Sequence, residues 1–387
     1  MNYDKLVSRK AKEIKPSGIR KFFDIAGEME GVISLGVGEP DFKTPWAIRK
    51  SGIETLQKGK TWYSANRGLS ELRTEISKYL DRRFNLLYDP DKEVLVTVGG
   101  SEAIDICLRS LIEPGDEVLI PEPCFVCYEP IVALTGGVPV PIMTKAEDAF
   151  RLTPEALREK ITDKTKALVL PYPNNPTGAV MRREHLEAIA AVLREHDIIV
   201  LSDEIYAELT YNGRHVSIAE LPGMQERTVV VNGFSKSFAM TGWRLGYAAG
   251  PAPLIGLMTK IHQYAIMCAP TTSQYAAIDA LRHCEDEIHH MVDEYNIRRR
   301  FLVDSFNRLG LSCFEPEGAF YVFPSIQKTG LTSDAFCEKL LHAQKVAVIP
   351  GTAFGTSGEG FVRVSYSYSL NHLVEAVRRI EKFLQTL

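Results

Sequence analysis

The chain has 387 residues, of which 45% are hydrophobic and 24% charged, and its formal net charge is −4. That length predicts two or three domains, and the composition excludes a disordered chain. The slight acidic excess leaves no surplus of cations to hold a nucleic-acid backbone. No apolar run approaches the ~18 residues that a membrane helix needs. The N-terminal segment MNYDKLVSRKAKEIKPSGIRKFF has no apolar stretch of the kind a secretory signal carries. Its basic bias resembles a transit peptide, but Asp4, Glu13 and the scarcity of Ser argue against one. A cytoplasmic protein is expected, with no membrane and no nucleic-acid partner.

Seven cysteines, an odd number with scattered spacing, do not form the framework of a secreted disulfide protein. Cys124 and Cys127 have CxxC spacing, but no second CxxC completes a zinc site, so unpaired thiols are expected.

In chain order, Ser70–Leu80 places Leu72, Ile76 and Tyr79 or Leu80 on one helical face. Val94–Val98 reads as a strand that ends in Gly99-Gly100 and leads into a helix. Pro114-Gly115-Asp116 is a turn before a strand at Glu117–Ile120. Lys166–Leu170 is a strand followed by Pro173-Asn174-Asn175-Pro176-Thr177-Gly178. Glu184–Glu195 is an amphipathic helix, and the strand Ile198–Leu201 ends at Ser202-Asp203. Thr228–Val231 ends at Asn232-Gly233-Phe234-Ser235-Lys236. Beyond about Pro270 come a long charged helix, Glu285–Leu309, strand-like pieces at Gly318–Phe323 and Phe361–Tyr366, and a last helix, His372–Leu384. The alternation predicts an α/β protein with a mostly parallel, helix-covered sheet. A large domain is expected over 46–282, with a smaller α+β domain from 283–387 and the N-terminal arm 1–45.

Polar residues gather at the strand ends, where open α/β sheets bind ligands. The set comprises Gly99-Gly100-Ser101, Asn174-Asn175-Pro176, Asp203 with Tyr206, and Ser235-Lys236. No GxGxxG follows the first strand and no GxxxxGK[ST] occurs, so neither a dinucleotide site nor a P-loop is expected. A lysine at a dry strand end can act as an amine nucleophile. Gly99-Gly100 before a helix offers N–H groups to a phosphate, and Arg244 could add a charged fork. Asp203 could keep a pyridine nitrogen protonated. Together these specify pyridoxal phosphate (PLP). Singly, each has a plainer reading: a turn, a helix cap, a surface loop. His283, His289 and His290 form no HExxH, and a solvated helix face is the simpler reading than a metal site. Glu195-His196-Asp197 reads as a helix C-terminus.

Gly233-Phe234-Ser235-Lys236-Ser237-Phe238-Ala239-Met240-Thr241-Gly242-Trp243-Arg244-Leu245-Gly246 resembles the lysine signature of the class I/II, fold type I aminotransferases. The resemblance runs from Lys15-Pro16-Ser17-Gly18 through Gly36-Val37-Gly38-Glu39-Pro40-Asp41-Phe42 to Phe361-Val362-Arg363-Val364-Ser365. It is strongest with the prokaryotic aspartate, aromatic and N-acetyl-diaminopimelate subgroup. It implies that Lys236 binds PLP covalently and later shuttles the substrate proton, while Asp203 pairs with the pyridine nitrogen. Tyr206 and Asn175 would bond the ring's phenolic oxygen. Gly100, Ser101 and Arg244 would line the phosphate site, Ser235 would be a further cofactor-binding residue, and Phe125 would stack on the ring. Tyr63 would reach the phosphate of a neighbouring subunit, so a homodimer with shared sites is implied. Gly38 and Arg363 would hold the substrate α-carboxylate. Two positions depart from the family pattern: Gly233 stands where many relatives have a phosphate-binding serine, and Phe125 where Trp or Tyr is common.

The expected reaction exchanges an amino group between an L-amino acid and a 2-oxo acid such as 2-oxoglutarate. A PLP-dependent C–S β-lyase of the same fold is the alternative, because it would use the same lysine, aspartate and arginine. A PLP-binding transcription regulator would need an added basic domain, and the chain begins directly at the arm. Some aspartate-using relatives carry a lysine after the Gly-Gly turn, where this chain has Ser101-Glu102. By resemblance, Ser17-Gly18-Ile19-Arg20-Lys21-Phe22 lies over the substrate. Ile19 and Phe22 suit an apolar side chain, and Arg20 and Lys21 an acidic one. An aromatic or N-acyl-diaminopimelate substrate is favoured, with aspartate as the alternative.

Overall fold

Buried apolar runs pair into one large sheet that carries the strand ends. The computed structural model describes residues 1–16, 18–19 and 29–387. Among these the strands are β1 (Ile33–Ser34), β2 (Val94–Thr97), β3 (Glu117–Glu122), β4 (Val138–Met143), β5 (Thr165–Leu170) and β6 (Ile199–Asp203), followed by β7 (Thr228–Gly233), β8 (Gly246–Ala249), β9 (Tyr321–Val322), β10 (Val346–Ala347), β11 (Ile349–Pro350) and β12 (Val362–Ser365). The main sheet has the order β2-β8-β7-β6-β5-β3-β4. Neighbours are parallel except at β8, which runs antiparallel to both β2 and β7. The expected mostly parallel sheet is therefore present, with one reversed strand.

Two strands of the main sheet escaped the pattern reading for physical reasons. β4 reads VPVPIM, and its prolines are tolerated because it is an edge strand. β8 reads GYAA, three of whose four residues are Gly or Ala of low β-propensity, held between two partners. The region Gly318–Phe323 forms only the short β9 plus a single bridge from Thr210 to Gly318.

Both faces of the sheet are covered. Val229 and Val231 pack with Leu108, Ile255 and Met258 on one side. Val230 packs with Ile76, Phe234 and Tyr247 on the other. That alternation along β7 is the period of two expected of a strand buried on both faces. Helix Gly99–Leu111 crosses β8, β7 and β6, which brings its N-terminus to the strand ends.

A smaller α+β unit is assembled from both chain ends. β1 pairs in parallel with β10, and β12 lies between β11 and β9. Ser365 N–H donates to the Leu35 carbonyl, which ties the N-terminal segment to β12. The last helix, Leu370–Leu384, starts at Ser369, whose hydroxyl accepts the His372 N–H. It buries Leu373, Ala376, Ile380 and Phe383. The charged helix Glu285–Arg308 is more than a solvated face. His289 and His290 are exposed on it, as is His283 at the end of the preceding helix Thr271–His283, but Arg298 and Arg299 are buried. Arg298 Nη1 donates to Asp41 Oδ1 at 2.8 Å and Oδ2 at 2.9 Å, anchoring the segment that follows Gly38. Glu195-His196-Asp197 follows the end of helix Arg183–Leu193. Among the described residues no helix is long and apolar enough to cross a membrane, and no group of three or more His, Cys, Asp or Glu side chains is arranged to hold a metal ion.

Candidate active site

The ends of β5, β6 and β7 and the start of helix Gly99–Leu111 border one cavity of about 510 Å³. Asp203, the last residue of β6, is buried at its base. Its Oδ2 accepts the Tyr128 hydroxyl at 2.7 Å and its Oδ1 the Ile205 N–H at 3.2 Å. Burial raises the carboxyl pKa above its ordinary value, and those two hydrogen bonds pull it down. Such a carboxylate is stabilised by a cationic N–H placed in the cavity.

Lys236, three residues past β7, points its amine into the same space. Nζ donates to the Gly38 carbonyl at 2.6 Å and lies 5.7 Å from the ring centres of Tyr206 and Phe320. Desolvation pushes its pKa down to about 8; Glu39 opposes that shift, and the Arg363 and Arg244 charges add to it. A substantial fraction of the amine is then neutral, and nucleophilic, near physiological pH.

Arg363, on β12, brings a charge from the smaller unit. It is 2% exposed and is flanked by the rings of Tyr321 and Phe354, at 4.5 and 4.7 Å. Nη1 donates to Asn175 Oδ1 at 2.9 Å, Nη2 donates to the Gly36 carbonyl, and Nε has no partner. Burial lowers its pKa. A buried guanidinium with a free N–H edge is a site for a carboxylate. Tyr206 and Tyr321 share a hydroxyl–hydroxyl hydrogen bond of 2.8 Å. Gly38 is required beside them, because a Cβ there would overlap the Tyr321 hydroxyl.

The opposite corner suits an anion. Helix Gly99–Leu111 has no side-chain cap at Val98, so its first N–H groups are free to bind one. Gly99 has φ +74°, and a Cβ on it would lie 2.6 Å from Arg244 Nη2. Arg244 is itself left-handed, at φ +51°, and Nη1 donates to the Thr241 carbonyl at 3.1 Å. The turn sits this close to the sheet only because β8 opens with Gly246, whose Cβ would lie 2.6 Å from the Gly99 carbonyl carbon.

Of the residues singled out in the sequence, Ile19, Gly38, Gly100, Ser101, Phe125, Asn175, Asp203, Tyr206, Ser235, Lys236, Arg244 and Arg363 all border this cavity. Tyr63 does not; it is 77% exposed on the outer surface. Arg20, Lys21 and Phe22 lie outside the described residues. Cys124 and Cys127 flank Phe125 as free thiols, and burial raises the pKa of each well above its ordinary value, which makes them poor nucleophiles. Sequence reasoning missed Tyr128, Tyr321 and Glu39. Tyr128 gives no local signal beyond standing three residues after Phe125. Tyr321 reaches the site only through the pairing of β9 with β12.

Residues 30–380 match the family described as aminotransferase class I and II. The chain belongs to that family. It is 49% identical to an aspartate aminotransferase of Pyrococcus abyssi over 378 residues, covering 96% of each chain. It is 45% identical to aromatic-amino-acid aminotransferase 2 of Thermococcus litoralis, covering 98% of each. The solved structure of Thermus thermophilus aspartate aminotransferase with maleate superposes with a TM-score of 0.93 at 38% identity, covering 97% of this chain and 99% of that one. The protein is a PLP-dependent aminotransferase of fold type I, and the β-lyase alternative gains no support. The donor set fits that cofactor: an enclosed amine, a buried carboxylate lacking a cationic partner, and a glycine-lined anion corner.

Proposed function

We propose that Lys236 holds PLP covalently while Asp203 pairs with the pyridinium N–H. Tyr206 and Asn175 bond the ring oxygen, Phe125 covers the ring face, and Gly100, Ser101, Ser235 and Arg244 hold the phosphate. When bound, the cofactor supplies an electron sink for the substrate α-carbon. Once the incoming substrate amine has taken its place on the cofactor, the released Lys236 amine would be free to accept the proton from that carbon and to give it back later in the exchange. Arg363 and the backbone of Gly38 orient the α-carboxylate. The observation that most supports this reading is the convergence of Lys236, Asp203 and Arg363 on one cavity from β7, β6 and β12.

For the substrate we favour an amino donor with an aromatic or extended side chain of the N-acyl-diaminopimelate kind, with 2-oxoglutarate as acceptor. Ile19 and Val37 give the cavity apolar wall, and among its described lining residues the cations are Lys236, Arg244 and Arg363. All three have roles above, so the preference rests on the apolar wall of Ile19 and Val37 and not on excluding a distal carboxylate, which 2-oxoglutarate also carries. The active unit is a homodimer in which Tyr63 serves the phosphate site of a second copy. Trp46, Trp62, Tyr63 and Tyr264 are exposed large side chains, and Thr271 and Asn66 tie the loop that carries Trp62 and Tyr63 to the 267–271 segment just past Tyr264, which suits burial against another copy. Free thiols throughout suit a reducing cytoplasm. Borohydride reduction of the holoenzyme followed by peptide mapping should place the pyridoxyl group on Lys236; a label on another lysine overturns the assignment. A panel of amino donors scored by kcat/KM tests the substrate, and aspartate as the best donor would refute the preference stated here.

A further inference from the structure

The phosphate turn is braced from behind by a buried pair that the reaction itself does not use. Glu102, in the first turn of helix Gly99–Leu111, folds its carboxylate back so that Oε2 accepts the Val98 N–H at 2.5 Å. Val98 is the residue on which that helix starts, so this bond shapes the backbone entering Gly99-Gly100-Ser101. Oε1 lies 2.6 Å from Nδ1 of His262, in helix Ala252–Ala265. The imidazole is fully buried and Glu102 is 10% exposed. His262 Nε2 has no partner. The hydrogen bond to Glu102 is thus the only one the ring makes among the described residues.

Two features make this more than ordinary packing. A carboxylate one turn behind an anion site repels the anion, and that liability grows in a buried setting. An N–H donor on Oε1 disperses that charge away from the turn. Removing the donor also leaves a buried oxygen unsatisfied, which the chain can relieve only by moving Glu102 and releasing Val98. Glycine gives the turn no side-chain packing of its own to resist such movement.

We propose that Glu102 and His262 are positioning residues that set the phosphate affinity of the turn. This rests on the reading that Gly100, Ser101 and Arg244 hold the cofactor phosphate. His262→Leu and Glu102→Ala should each weaken binding of PLP to the apoenzyme at least tenfold. Binding of pyridoxal, which lacks the phosphate, should change less than threefold. His262→Asn, whose amide N–H can stand near the Nδ1 position, should keep most of the parent's preference for the phosphorylated form.

The test is equilibrium titration of each apoenzyme with PLP and with pyridoxal, followed by absorbance, with circular dichroism checking the fold. Arg244→Met is measured beside them. If Arg244→Met loses the preference for PLP over pyridoxal while Glu102→Ala and His262→Leu keep it, the positioning role is wrong and the phosphate site stands. If Arg244→Met also keeps it, the phosphate reading itself fails. If the Glu102 and His262 variants lose PLP and pyridoxal binding equally, the pair serves only general packing and the proposal is overturned.

Discussion

Arg363→Lys keeps the buried charge and removes the planar fork, so it measures what the fork contributes. The guanidinium has five N–H groups. One goes to Asn175 Oδ1 and one to the Gly36 carbonyl, so three remain, including the unpartnered Nε. These can make two parallel bonds to a carboxylate, whereas an ammonium offers one point contact. Hydrogen bonds to charged groups are worth roughly 1.5–3 kcal/mol each, so the loss of one, with poorer placement of the other, costs about 2–4 kcal/mol. That converts to a fall of ~30- to 1,000-fold in kcat/KM for amino acid donors. The assay is the single-turnover half-reaction followed by cofactor absorbance, with L-phenylalanine and 2-phenylethylamine compared as donors. The variant should lose discrimination between them, because only the amino acid has the carboxylate. A loss below fivefold, or equal losses for both donors, would show that Arg363 does not carry carboxylate recognition.

The Lys236 amine, pushed down to about 8, should make the rate of PLP capture by the apoenzyme rise with pH through that value; a midpoint near 10.5 would contradict this. Since its folded pKa lies below its ordinary value, the unfolded chain binds more protons between them, so the part of stability linked to Lys236 should rise with pH from about 8 to 10.5, by comparison with Lys236→Met. Asp203→Ala should retain the fold and lose on the order of 10³-fold or more in rate as the ring nitrogen loses its anionic partner; near-normal turnover would assign that role elsewhere. Tyr63→Ala and Lys236→Ala chains, each weak or dead alone, should regain activity when mixed, because one site of the heterodimer then has both residues intact. Heterodimers without activity would confine Tyr63 to its own subunit or to no role.

Much of the site was legible because parallel strands buried on both faces are apolar until they end. Lys236, Asp203 and Asn175 stand out against such runs, and the rule that ligands bind beyond the carboxyl ends of the strands places them together. Tyr128 and Tyr321 have no such contrast. A tyrosine beside apolar neighbours reads as core, and only the 2.7 Å bond to Asp203 and the 2.8 Å bond to Tyr206 separate these two from the other buried phenols. Glu102 drew notice in the sequence only for standing beside Ser101 where some relatives carry a lysine, and its contact with His262, 160 positions away, exists only in the fold.

By itself the sequence determined the alternating α/β plan and the cofactor, and it singled out Lys236 as the lysine proposed to carry it, because these are written in local periodicity and in one long contiguous motif. The direction of β8 and the edge position of β4 were decided by tertiary pairing, which can hold small residues and prolines in strands that local propensity disfavours. The meeting of Lys236 with Gly38, 198 positions apart, and of Arg363 with Asn175, 188 apart, was likewise decided only when the smaller unit packed against the sheet. Contacts of that sequence separation leave no local pattern, since what selects them is the burial and hydrogen bonding available once the whole chain has folded.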